Sequence, residues 1–184
     1  DNIDKGIKSL YISLLIENYI MNIRSLYDFC SFFPRIIMSI ENVKKYSNRK
    51  YSDSLNTFIK YCDSEELQEL PINMRNFIKG SSNKLEDIKT IRDSIIHKGK
   101  ESIVEFKDND IFFRIPVKAP YGVENALPDI LHLGNSDYPL TNYLKELTIS
   151  LFDFMENLGM LLYGELQKTG KLSFRFNGFS WNLY

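Results

Sequence analysis

The sequence predicts an all-α fold, an antiparallel helical bundle with small β-hairpin additions, and three observations carry that expectation. Two long stretches, 5–31 and 139–168, repeat apolar side chains at helical spacing. The shorter segments between them open or close on residues that cap helices. Only two places, near 102–116 and 171–184, set β-prone runs around turn residues.

Taken in order, 5–31 places Ile7, Leu10, Leu14, Ile16, Ile20, Ile23 and Tyr27 at helical intervals, uninterrupted by proline or glycine after Gly6. Pro34 suits the first turn of a second helix that runs to about Tyr46, where "KKYSNRKYSD" breaks the pattern. Short helices follow at 54–62, at 64–70, where Asp63 and Glu66 have capping-box spacing, and at 71–79, closed by Gly80. Another is expected at 83–97, between the Asn83 and Glu86 pair and Gly99. "SIVEF" and "IFFRIPV" flank "KDND" and read as a hairpin. Residues 117–138, with Pro120, Gly122, Pro128 and Gly134, form a long irregular excursion. From Pro139 to Lys168 the stripe Leu144, Leu147, Leu151, Phe154, Leu158, Leu161 and Leu162 marks a long helix. The tail places Phe174, Phe176, Phe179 and Trp181 around an Asn-Gly pair, a hairpin signal.

At 184 residues the chain is expected to form a single domain, 1–184, with its helical core at about 5–168. Twenty-three basic side chains meet 24 acidic ones, so no overall basic field draws in nucleic acid, and any polyanion site must be local. Cys30 and Cys62 lie far apart without a C-x-x-C, which fits buried thiols in a reducing compartment. The most apolar stretch, "YISLLIENYIMNI", contains Glu17 and is flanked by Lys8 and Arg24, too short and too charged to span a bilayer. The expectation is a cytoplasmic protein with no membrane partner.

Chemistry concentrates in "TIRDSIIHKG", residues 90–99. At about 100° per residue, Leu85, Ile88, Ile91, Ile95 and Ile96 share one arc, and Arg92 lies inside it. Its guanidinium must snorkel out, meet a carboxylate, or face an interface, because an unpaired buried cation is costly. Asp93 and His97 are four apart, where one can orient the other. Two explanations stand side by side. The pair is catalytic, or Arg92 makes an ion pair while His97, followed by Lys98 and Gly99, settles the negative end of the helix dipole.

Arg92, Asp93, Ser94, Ile95, Ile96, His97, placed near the end of an inner helix in a helical chain, resembles the Arg-x4-His motif of the HEPN superfamily over about residues 5–168. The resemblance implies a metal-independent endoribonuclease that needs no cofactor, works as a homodimer on RNA and leaves a 2′,3′-cyclic phosphate. It implies a phosphate-gripping role for Arg92 and general acid/base work for His97, with Asp93, where asparagine is also frequent in the family, as their polar companion. Guanidinium grips phosphate as a planar fork, and imidazole titrates near neutrality, so these residue types suit those roles. It further implies a toxin or antiviral-defence effector with a possible cognate antitoxin or regulatory protein. The alternative within the same family is a non-catalytic dimeric module that binds RNA, a nucleotide or a protein.

A second candidate is "KKYSNRKY", where Lys44, Lys45, Arg49 and Lys50 alternate with Tyr46 and Tyr51, the mixture that tracks a phosphate backbone and stacks bases. With Lys98 these residues form the expected RNA-binding set, against the plainer reading of a solvated loop. His132 has no histidine or cysteine at ligand spacing, so no metal site is expected.

Overall fold

The computed structural model describes residues 2–96, 101–107, 110–116, 125–134 and 137–168. Among them the order is α1 (Asn2–Cys30), a 3-10 turn (Phe33–Ile37), α2 (Ile40–Ser47), α3 (Leu55–Lys60), a second 3-10 turn (Glu65–Leu67), α4 (Ile72–Gly80) and α5 (Ser82–Ile96). The sheet strands β1 (Ile103–Lys107), β2 (Asp110–Arg114) and β3 (Tyr138–Pro139) follow, then α6 (Leu140–Lys168). The chain is mainly helical with a small antiparallel sheet, as its periodicity predicts. It gathers into two compact units, one of Asp1–Tyr27 and Asn83–Phe152, the other of Asp28–Ser82 and Asp153–Tyr184.

In the first unit the core is built from Ile16, Ile20, Ile23 and Tyr27 of α1, Leu85, Ile88 and Ile91 of α5, Phe113 of β2, and Tyr143, Leu147 and Leu151 of α6. Tyr19 Oη donates to the Leu144 carbonyl at 3.0 Å and meets the Thr148 hydroxyl, while Tyr27 Oη donates to Ser150 Oγ at 3.4 Å. These contacts advance together along both helices, so α1 and α6 run in the same direction here. An antiparallel α6 would meet Tyr27 before, not after, the residues that meet Tyr19.

The helical face of α1 also differs from expectation. Ile7, Leu10 and Leu14 are 63%, 59% and 49% exposed. Ser13 takes the inward position instead, its Oγ 2.6 Å from Ser102 Oγ. Between Leu10 and Ile16 apolar side chains stand on both faces of α1, so periodicity could not choose the buried side.

The hairpin expected near 102–116 is present, with Ile103 opposite Arg114 and Phe106 opposite Ile111. Its turn residues, Asp108 and Asn109, lie outside the described residues, as do 117–124 and 135–136 of the excursion and the whole of the second expected hairpin, 171–184. Part of the excursion is ordered into the sheet: Phe113 pairs with Tyr138 and Phe112 with Pro139, whose missing N–H is tolerated at a sheet edge. Tyr138 is buried against Tyr143, with ring centroids 5.1 Å apart. Arg114 Nη1 donates to Asp137 at 2.7 Å and Lys107 Nζ at 3.0 Å, tying β1, β2 and the approach to β3 together. Burial by itself would raise the Asp137 carboxyl, but those bonds outweigh it and hold the group below the usual range.

In the second unit the single helix expected from Pro34 to Tyr46 is broken into a 3-10 turn and α2. Ser39 makes the break: in extended backbone, its hydroxyl accepts the Asn42 N–H at 3.3 Å, and its own N–H donates to Glu69 Oε2 at 2.8 Å. The helix expected at 64–70 shrinks to Glu65–Leu67, with Ser64 at its cap rather than Asp63. Around these pieces, Tyr46, Leu55, Phe58, Leu67, Met74, Ile78, Phe154 and Leu158 form the core. Phe77 of α4 stacks on Phe154 of α6 at 5.3 Å.

Cys30 and Cys62 are buried and free, and burial pushes both thiols up to about 11. Two consequences follow from a folded-state value above the unfolded one. Neither thiol should react with a soluble disulfide reagent at pH 8 until denaturant is added. Their contribution to stability is complete below about pH 9 and is lost as the pH rises toward 11, so the unfolding midpoint should fall across that window and not below it. Urea titrations at several alkaline pH values check this.

Candidate functional site

Leu85, Ile88 and Ile91 hold α5 in the first unit, and the buried stripe then continues through Ser94, which is 1% exposed. Ile95 is only half-buried, so the stripe turns slightly toward the serine at the end of the helix. Arg92 sits on the shoulder of that stripe, with 29% of its side chain exposed. Of the three solutions open to its guanidinium, it takes a carboxylate, and the acid is its own neighbour. Arg92 Nε and Nη2 donate to one oxygen, Asp93 Oδ1, at 3.0 and 2.7 Å. Adjacent residues on a helix do not normally face each other, so the long arginine side chain must bend along the surface to make this fork.

The site therefore presents a guanidinium and a carboxylate as one unit near the end of a helix. Arg92 and Asp93 are brought together; His97 and Lys98 lie outside the described residues.

A polar cluster absent from the sequence expectations joins α1 to Ser102, just before β1. Glu17 Oε1 accepts from Ser13 Oγ at 3.3 Å and from the Ser102 N–H at 3.4 Å. Both serines are buried. Ser13 and Glu17, four apart in the middle of an apolar run, were the available signal. Arg24 was missed in the same way: it is 3% exposed, carried into the first unit between Ile23 and Tyr27, although in sequence it looked like the charged flank of an apolar segment.

The basic loop is largely committed to its own unit. Tyr46 is fully buried, edge-on to Phe58 at 5.4 Å, with its phenol pushed far above the usual range by burial. A ring in that position builds the core, and this corrects the expectation that it stacks bases. Arg49 donates to Glu66 Oε1 at 2.7 Å and lies 4.0 Å over the Tyr61 ring. Lys45 pairs with Glu41 at 2.9 Å. Lys44 and Lys50 are exposed, and Lys50 Nζ stands 4.7 Å over the ring of the exposed Tyr51. The loop belongs to the second unit and the Arg92 motif to the first. His132 is exposed in a left-handed turn with φ 55°. Among the described residues no group of three or more histidine, cysteine, aspartate or glutamate side chains could hold a metal ion.

No family model matches the chain, and neither curated proteins nor solved structures give a match. Among the described residues no helix is long and apolar enough to cross a membrane.

Proposed function

We propose that this chain is a metal-independent endoribonuclease of the HEPN type, acting as a homodimer. The observation that carries the reading is the half-exposed Arg92 and Asp93 fork near the end of α5 in a mainly helical chain. In this mechanism the 2′-hydroxyl of RNA attacks the adjacent phosphorus as His97 takes its proton. The P–O5′ bond then breaks, a proton returns to the leaving 5′-oxygen, and a 2′,3′-cyclic phosphate remains. Arg92 grips the non-bridging oxygens and offsets the charge that grows on them. Asp93 holds the guanidinium in the resting chain. The biological setting that suits such an enzyme is a toxin or an antiviral-defence effector restrained by a cognate partner.

One observation favours a second reading. Two of the N–H directions of Arg92 are already given to Asp93, which is also what a structural ion pair in a non-catalytic RNA- or nucleotide-binding module does.

The experiment is cleavage of a mixed RNA pool in EDTA by the wild type, Arg92→Ala and His97→Ala, with folding followed by circular dichroism. Products ending in 2′,3′-cyclic phosphate from the wild type alone, with both variants folded, establish the nuclease. An inert wild type that still retains RNA on a filter moves the chain to the binding-module reading.

A further inference from the structure

The turn that joins α2 to α3 holds Tyr51 in a conformation that its side chain does not favour. Its φ is 59°, in the left-handed region that bulky residues avoid. The turn is fastened around it: the Ser52 N–H donates to the Arg49 carbonyl at 3.2 Å, and the Ser54 N–H donates to the Tyr51 carbonyl at 3.0 Å. Buried Ser52 adds a bond from its hydroxyl to the Ser47 carbonyl at 3.2 Å. The core gains little from the ring displayed this way, because Tyr51 is 70% exposed. Strain kept at an exposed ring points to a role outside the core.

The neighbours narrow what the ring meets. Lys50 Nζ stands 4.7 Å over it, so a cation rides on the ring while most of the side chain stays open. Burial of Tyr46 and the ion pairs of Lys45 with Glu41 and Arg49 with Glu66 withdraw those three from the loop's expected nucleic-acid surface. The exposed Asp53 lies 3.8 Å from Arg35 Nη1, which offsets its charge. Among the described residues no acid pairs with Lys44 or Lys50, and both are exposed. A protein hot spot or a lipid surface needs contiguous apolar area beside its aromatic anchor. In this turn the exposed neighbours of Tyr51 are Ser47, Asn48, Lys50 and Asp53, all polar. One open aromatic ring with two lysines suits a base that stacks and a phosphate that follows it. We propose that Tyr51 is a stacking platform for an unpaired base of single-stranded nucleic acid, with Lys44 and Lys50 as cations for the adjoining phosphates. A tyrosine face accepts any base, so this binding is insensitive to sequence and weaker for a duplex, whose bases already stack on one another.

The proposal uses no residue of the Arg92 motif, which belongs to the first unit, and stands whether or not that motif cleaves RNA. The measurement is fluorescence anisotropy of a fluorescein-labelled oligothymidylate titrated with the full chain at low salt. DNA lacks the 2′-hydroxyl that the Arg92 reaction consumes, so cleavage cannot enter the result, and an oligouridylate with blocked 2′-hydroxyls supplies the RNA arm. The wild type is expected to bind both single strands more tightly than a duplex of the same length. Tyr51→Gly should weaken that binding by about fivefold to a hundredfold, and Tyr51→Trp should preserve it. Lys44→Glu with Lys50→Glu should weaken it as well and flatten its dependence on salt. Glycine adopts a φ of 59° freely, so Tyr51→Gly should melt no lower than the wild type, which separates a displayed ring from a structural one. A wild type that binds neither strand, a Tyr51→Gly chain of equal affinity, or a lowered melting temperature in that variant overturns the proposal.

Discussion

Replacing Arg92 with lysine is expected to slow metal-independent RNA cleavage by about a hundredfold or more while changing folding stability by less than about 1 kcal/mol. The two magnitudes part because they come from different interactions. In the folded chain Arg92 is only partly buried and bonds to the carboxylate of the next residue, a pair that water screens. In the proposed reaction the guanidinium would meet a phosphate whose charge grows on two non-bridging oxygens, and a planar fork would span both. Lysine keeps the positive charge but offers one strongly hydrated point, so the loss should fall on kcat more than on KM. A lysine variant of near-normal rate would show that the fork is not used, and it would favour the binding-module reading.

Asp93→Asn sharpens that test. If the Asp93 carboxylate competes with substrate phosphate for Arg92, its neutralisation lowers KM. If instead it orients His97 from four residues away, its neutralisation lowers kcat and moves the pH profile. The observed bond from Arg92 favours the first outcome.

How much of this was legible in the sequence depends on whether the decisive interaction was local. The starts of α5 and α6 were readable because apolar spacing and end residues act within a few positions. The β1 and β2 hairpin was readable for the same reason. Non-local choices were hidden. The break at Ser39 depends on Glu69, thirty residues away in sequence, accepting its N–H. Tyr138 forms a strand because Phe113 and Tyr143 offer it a place, not because its neighbours are β-prone. The burial of Tyr46 under Phe58 could not be seen in an alternation of lysines and tyrosines, which looks alike whether the rings point in or out. At the candidate site, the residue types of Arg92 and Asp93 were evident, whereas the choice of Asp93 over an acid on another helix is a rotamer decision that no spacing rule encodes.

Phe58→Ala is expected to cost about 3–5 kcal/mol and to lower the melting temperature by roughly 10 °C or more. Phe58 is fully buried, and its ring supports Tyr46 edge-on. It also belongs to a helix that cannot stand alone: α3 has six residues, far fewer than an isolated helix needs. Three things hold it. Leu55 and Phe58 enter the core, and the Leu55 N–H donates to Asp28 Oδ1 at 2.8 Å where α3 begins. Asp28→Asn keeps an acceptor there and should cost about 1 kcal/mol or less. Removing the ring leaves both a cavity and an unsupported turn, so the damage should spread along α3 rather than stay at one position. Cys62, buried just beyond the end of α3, reports on that spread. In Phe58→Ala its thiol should become reactive at denaturant concentrations where the wild type is still protected, and Cys30 should follow only at global unfolding. Equal reactivity of the two thiols would mean that the second unit melts as one body, with α3 no weaker than the helices around it.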